Sequence, residues 1–364
     1  MATTKDYKLG DFTFPRGWFM IATSETINTH KPIPVRYFGK DMVLFRGQAS
    51  GKPILMDAYC PHMGTHLANN TTSYVFIDGH GTNIEGDAIR CPYHAWKFDA
   101  SGKCVDIPYH EGPIPEAACV QSWPVEERLG AIWVWHDPEG GPPEWDAPSR
   151  PEWDDAGWVR WKYDDLGELA QHPMEIIDNI ADYGHLGPIH GSEVQKYENE
   201  FKGYTATQRQ CGPHRTLVGA DGVSPILHTL TTYHGPGYLI SDMTGYAEAV
   251  LLISHTPVED GKVHVWHALM VKSQHNPATE TDVIGARQFQ ESSRLAFMQD
   301  FEVWSNKRPC FNGMFIASDG PFMRARWWYK QFYNPREKAP EFLERCEGIY
   351  SPKGVAPYQT AESV

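Results

Sequence analysis

Two short stretches of this 364-residue chain each place a cysteine beside a histidine: CPHMGTHL at 60–67 and CPYHAW at 91–96. One residue separates Cys60 from His62, and two separate Cys91 from His94. Two thiolates and two imidazoles can hold a tetrahedral zinc ion. They can equally hold a [2Fe-2S] cluster, with both thiolates on one iron and both imidazoles on the other. Imidazole is neutral where thiolate is negative, so that exchange raises the reduction potential. Proline follows each cysteine and the first stretch runs into a glycine, so the loops read as a matched pair closing on one shared group. Neither pair lies in a helical pattern, which suits a cluster between two loop tips better than a zinc site leaning on a helix. Four unrelated residues are the plain alternative.

A second constellation is Asn179-x-x-Asp182-x-x-His185-x4-His190. The pattern predicts a helix over 173–186 with Pro173 in its first turn. Asp178, Asp182 and His185 would then share a face at i, i+4 and i+7. Gly187-Pro188 is expected to break that helix, letting His190 turn back so that two imidazoles converge. A third ligand is available on an amphipathic helix over 287–307, where Phe289, Ser293, Phe297, Asp300 and Trp304 form one stripe. Asp300 is the carboxylate on that stripe, and burying a lone carboxylate is costly unless it is paired or metal-bound. Asp282 and Glu302 are nearby competitors, and Arg294 is an alternative partner for Asp300. Two histidines and a carboxylate on one face of a metal leave open positions for O2 and substrate, as in non-haem Fe(II) oxygenases.

The motifs C-P-H-M-G-x-H-L and C-P-Y-H-A-W-x-F-x-x-x-G-x-C, the latter ending at Cys104, resemble the Rieske family. With the second constellation added, nearly the whole chain resembles the Rieske non-haem iron oxygenases. The resemblance implies a [2Fe-2S] Rieske cluster on Cys60, His62, Cys91 and His94, and mononuclear Fe(II) on His185, His190 and Asp300. It implies electrons from NAD(P)H through a separate flavin/iron–sulfur reductase or a ferredoxin. It also implies that Asp182 bridges to a cluster histidine of a neighbouring subunit, which closes a head-to-tail homotrimer. Asp182, and Asn179 at the head of the same motif, are the candidate catalytic residues. The segment from Asn69 to Arg90 departs from the family pattern and reads as an insertion.

CVDIPY (104–109), QDFEVWSNK (299–307) and DGPFMRARWWYKQFY (319–333) resemble the 3-ketosteroid 9α-hydroxylase branch and its sterol-oxidising relatives. That implies a terminal monooxygenase component hydroxylating an apolar substrate, a steroid. A Rieske oxygenase acting on an aromatic acid, or an N- or O-demethylase, is the alternative. A non-catalytic zinc or electron-transfer protein is a remoter one.

These residues need a scaffold. Runs at 41–47, 87–94 and 130–137 read as strands between turns. GPPEWDAPSRPEWDDAGW at 141–158 breaks the pattern with four prolines. The expected fold is α+β. An all-β Rieske domain spans 1–140, a linker 141–158, and a catalytic domain 159–350 with a central antiparallel sheet covered by helices in the helix-grip manner. A tail follows over 351–364. The run 249–272 reads as two strands about an Asp260-Gly261 turn. Together with the aromatic helix, the hairpin from Tyr246 to Met270 is expected to shape an apolar pocket.

A net charge of −14 argues against nucleic acid as a partner. No run of 18 apolar residues predicts a membrane span, and the N-terminus shows no signal peptide. Seven dispersed cysteines, an odd number, suggest reduced thiols and metal ligands rather than a disulfide framework, with cytoplasm as the expected location. Cys104, Cys119, Cys211 and Cys310 read as structural thiols.

Overall fold

The computed structural model describes residues 2–27, 30–218 and 222–358; residues 359–364 of the expected tail lie outside that description. The chain divides into two units, Trp18–Ser149 and a second made of Met1–Gly17 with Arg150–Val364. Among the described residues no helix is long and apolar enough to cross a membrane.

Among its described residues, the first unit is built of three small sheets. Ala131–His136, AIWVWH, is buried at every position because it lies between Gly17–Thr23 and Val125–Arg128. A second sheet orders Ile33–Tyr37, Lys40–Arg46, Pro53–Asp57 and Ser122–Trp123. A third orders Ile84–Glu85, Ala88–Arg90, Lys97–Phe98 and Cys104–Asp106. Val43, Phe45, Ile54, Met56, Ile89 and Phe98 form one core with Cys60 and Cys91. The expected insertion at 69–90 carries a short helix, Tyr74–Asp78, and is pinned at its return. There the Asn83 Nδ2 donates to the carbonyls of Leu67 (2.8 Å) and Arg90 (2.6 Å).

The second unit centres on a nine-stranded sheet among the described residues. Ala249–Glu259 and Lys262–Lys272 form its longest hairpin, with Gly261 at φ +91° in the turn. The helix Glu280–Asn306 starts on a capping box between Thr279 and Asp282. It lays Phe297, Phe301 and Trp304 on Ile253, Val263 and Val265 of the hairpin. Each such buried side chain contributes roughly 1.5–3 kcal/mol.

Two expected boundaries shift. Residues 2–17 join the second unit rather than the Rieske fold, because their polar groups find partners there. Thr4 N donates to Asp260 Oδ1 (2.7 Å), Tyr7 Oη donates to Glu175, and Arg16 Nη1 donates to the Asn334 carbonyl (3.1 Å). Likewise the end of the expected linker is ordered into the sheet: Trp158–Val159 pairs with Lys262–Lys272.

Candidate functional site

The two Cys-His loops have the same backbone. Gly64 N donates to Cys60 O (2.9 Å) and Cys60 N to Thr65 O (2.9 Å); Ala95 N donates to Cys91 O (3.0 Å) and Cys91 N to Trp96 O (2.8 Å). The fourth residue after each cysteine is left-handed, Gly64 at φ +71° and Ala95 at φ +60°. Glycine adopts that geometry freely, whereas alanine holds it at a cost of about 1–2 kcal/mol. Arg90 Nη1 secures the second loop through the Ala95 carbonyl at 2.8 Å.

Cys60 and Cys91 are buried and hydrogen-bond each other, which lowers the Cys91 thiol below its ordinary range and raises that of Cys60. The rings of His62 and His94 lie 4.6 Å apart at 68°, and His62 stacks on Trp96. The Nδ1 atoms of both histidines are buried without a hydrogen-bond partner. An unsatisfied buried nitrogen costs about 1–3 kcal/mol, and coordination to a metal would satisfy both. Two thiols and two orphaned imidazole nitrogens on congruent loops fit a Rieske cluster.

The segment leading to the second constellation departs from the expected helix. An α-turn, Met174–Ile177, tightens into a 3₁₀ turn, Asp178–Ala181, and ends at Asp182, whose ψ of 98° is extended. The break therefore falls before Asp182 and not at Gly187-Pro188. Those two residues sit inside a new short helix, Leu186–His190, whose first turn tolerates proline. The three residues expected on one helical face separate. Asp178 turns to the Arg326 guanidinium, with bonds of 3.0 and 2.5 Å, while Asp182 stays with His185.

His185, His190 and Asp300 do converge: one ligand atom from each lies within 4.8 Å of the others. The two rings are 5.2 Å apart at 81°, and His190 Nε2 is 3.4 Å from Asp300 Oδ2. His190 Nδ1 meets Gln299 Oε1 at 3.2 Å, which fixes the ring and leaves Nε2 for Asp300 and a metal. Burial disfavours charge on His190, but the Asp300 carboxylate outweighs it and raises its pKa. His185 Nδ1 is buried without a hydrogen bond; Asp182 Oδ2 is 3.4 Å away, an electrostatic contact. Two imidazoles and one buried carboxylate on one side of a cavity fit a mononuclear iron. The competitors drop out: Asp282 caps its helix, Glu302 is exposed, and Arg294 pairs with Glu291.

That cavity, about 230 Å³, is lined by Asn179, His185, His190 and Asp300 on one side. Leu239, Met243, Leu251, Ile253, Phe297 and Trp304 supply most of its apolar wall. The expected pocket over Tyr246 to Met270 is thus half right. Leu251 and Ile253 face the cavity, whereas Met270, paired with Val250 on the opposite face of the hairpin, is buried away from it, and Tyr246, in the turn before the hairpin, packs on Phe289. Sequence reasoning did not single out Gln299, Leu239 or Met243. Gln299 could have been found as the neighbour of Asp300 within 299–307.

The Rieske [2Fe-2S] domain family matches residues 17–124, and the 3-ketosteroid 9alpha-hydroxylase C-terminal domain family matches residues 134–333. A 3-ketosteroid-9-alpha-monooxygenase oxygenase component of Rhodococcus rhodochrous is 34% identical, over 91% of this chain and 84% of its own length. A second from the same organism is 31% identical, over 92% and 87%. The solved structure of NdmA from Pseudomonas putida CBB5 with caffeine matches at a TM-score of 0.68 and 16% identity, over 99% of each chain, a likeness of fold. Fold and domain matches together define the class, a Rieske-type non-haem iron oxygenase. Within it, the chain belongs to the family of 3-ketosteroid 9α-hydroxylase oxygenase components. It is accordingly the terminal component of a Rieske monooxygenase.

Proposed function

We propose that this terminal oxygenase hydroxylates a steroid of the 3-ketosteroid type. The observation that carries the reading is the convergence of His185, His190 and Asp300 on an apolar cavity, in a chain 34% identical to a 3-ketosteroid monooxygenase component. Cys60, Cys91, His62 and His94 hold the cluster; His185, His190 and Asp300 hold the mononuclear iron. When bound, the cluster supplies electrons and the iron is where O2 is activated.

The chain's own residues do the rest. Gln299 fixes the His190 ring and Asp182 orients His185, so both imidazoles present Nε2 to one point. Asn179 lies on the cavity wall beside them. Leu239, Met243, Leu251, Phe297 and Trp304 bind the flat apolar rings and exclude water. Asp182 keeps about a quarter of its side chain exposed, 27%, which leaves the carboxylate able to meet a cluster histidine of a neighbouring subunit in a homotrimer. Electrons come from NAD(P)H through a flavin/iron–sulfur reductase or ferredoxin. The enzyme works in the cytoplasm, where its cysteines outside the cluster stay reduced.

The test is oxygen and NADH consumption by the holoenzyme with a compatible reductase, over panels of steroids, aromatic acids and N- or O-methyl compounds. Uptake coupled to a hydroxylated 3-ketosteroid supports the proposal. Coupled turnover confined to the other panels overturns it.

A further inference from the structure

His267 is buried within the strand Lys262–Lys272 and bonded through both ring nitrogens. Its Nδ1 meets Asp164 Oδ2 at 2.9 Å, across the register pair that joins their strands, and its Nε2 meets Ser293 Oγ at 3.0 Å. Gln290 Nε2 donates to the same Asp164 oxygen at 2.9 Å. Ser293 lines the cavity. It stands two helical turns before Asp300, a rise of about 10 Å along the helix.

The chain of bonds has a direction. Burial pushes the Asp164 carboxyl up, but the bonds from His267 and Gln290 outweigh it and hold the group below its ordinary range, so it accepts. A carboxylate only accepts, so His267 Nδ1 is the donor to Asp164, and in the neutral imidazole Nε2 is then the acceptor that faces Ser293. Ser293 must then donate its own hydrogen away from the cavity, and its oxygen lone pairs are what the cavity meets. Other hydroxyls on the wall lack this fixed sense. Those of Thr231 and Ser241 pair with each other at 2.8 Å, and Tyr233 Oη meets His255, whose Nδ1 has no partner to set the tautomer.

We infer that Ser293, polarised by the buried His267 and its half-buried partner Asp164, is a specificity-determining residue that accepts a hydrogen bond from a hydroxyl group on the apolar substrate. A ketone placed there would set one acceptor against another. The inference rests on the reading that this cavity takes a steroid, and it names the polar group such a substrate carries.

Equilibrium dialysis on the metal-loaded protein tests it with 5α-androstane-3,17-dione and its 3β-hydroxy and 17β-hydroxy derivatives, which differ by one oxygen function each. One of the two alcohols is expected to bind about tenfold tighter than the diketone, the worth of one well-placed hydrogen bond. Ser293→Ala should abolish that preference and Ser293→Thr should keep it. A merely structural tie between helix and sheet would shift all three affinities together. Equal binding of the three steroids, or a preference that survives Ser293→Ala, overturns the inference alone. Binding of none of them overturns the steroid reading and the inference with it.

Discussion

Asp182 holds His185 at two points: its Oδ1 accepts the His185 backbone N–H at 3.2 Å, and its Oδ2 lies 3.4 Å from the ring Nδ1. A carboxylate on that side of an imidazole orients the ring and leaves Nε2 for a metal. The proposed bridge to a neighbouring subunit uses the same carboxylate. Asp182→Ala should keep both metals yet slow electron delivery, by roughly 10–100-fold if it behaves as other supporting partners of metal ligands do. Stopped-flow reoxidation of the reduced protein with O2 and substrate reads this directly. Reoxidation at the wild-type rate contradicts the bridge.

His185→Ala separates the two metal sites. The visible absorption of the cluster should persist while the mononuclear iron and turnover are lost. Metal analysis beside an oxygen-uptake assay checks both, and wild-type turnover in this variant contradicts the ligand assignment.

The buried pair of Asp178 and Arg326 ties the turn before the iron histidines to the Cys310 and Phe311 carbonyls, which Arg326 also binds. Removing one partner of a buried pair strands the other charge, so Asp178→Ala should cost roughly 3–5 kcal/mol. Urea unfolding measures this; a loss under about 1 kcal/mol would show the pair adds little.

Stability should fall in mild acid. Burial pushes the imidazoles of His172 and His255 down to about 3. The unfolded chain binds protons at these histidines near pH 6.5, whereas the folded chain does not until about pH 3. Stability present above pH 6.5 is therefore lost as pH falls toward 3, at up to about 1.4 kcal/mol per pH unit for each histidine. His172 Nδ1 accepts the Met174 amide at 3.0 Å, a bond that protonation would break. His172→Gln should flatten the slope of the urea midpoint between pH 6.5 and 4, and an unchanged slope contradicts the assignment to His172.

How much of this was legible depended on how local each signal is. Cys60, His62, Cys91 and His94 announce themselves within two short loops, each with proline after its cysteine, although the left-handed turn that glycine supplies in the first loop is held by Ala95 in the second. Asp300 was legible because one carboxylate on an apolar stripe needs a reason. The path from Pro173 to His190 was misread because periodicity sees a helix running through Asp182. What ends it there is long-range: Asp178 is drawn to Arg326, and Glu175 to Tyr7 and Lys307. No local pattern contains those partners. The same holds for Asp164, His267 and Ser293, which meet only once the sheet and the long helix are assembled. The cavity wall needed the strand faces as well, and alternation assigns a face only when the neighbouring layer is known.

The most direct test of the central claim is the metal content and visible spectrum of the wild-type protein purified without air and loaded with Fe(II). A coloured protein with about three iron atoms and about two labile sulfides per chain is expected, the sum of a Rieske cluster and one mononuclear site. A colourless protein that carries zinc on Cys60, His62, Cys91 and His94, or a coloured one that takes up no iron beyond the cluster, would contradict it.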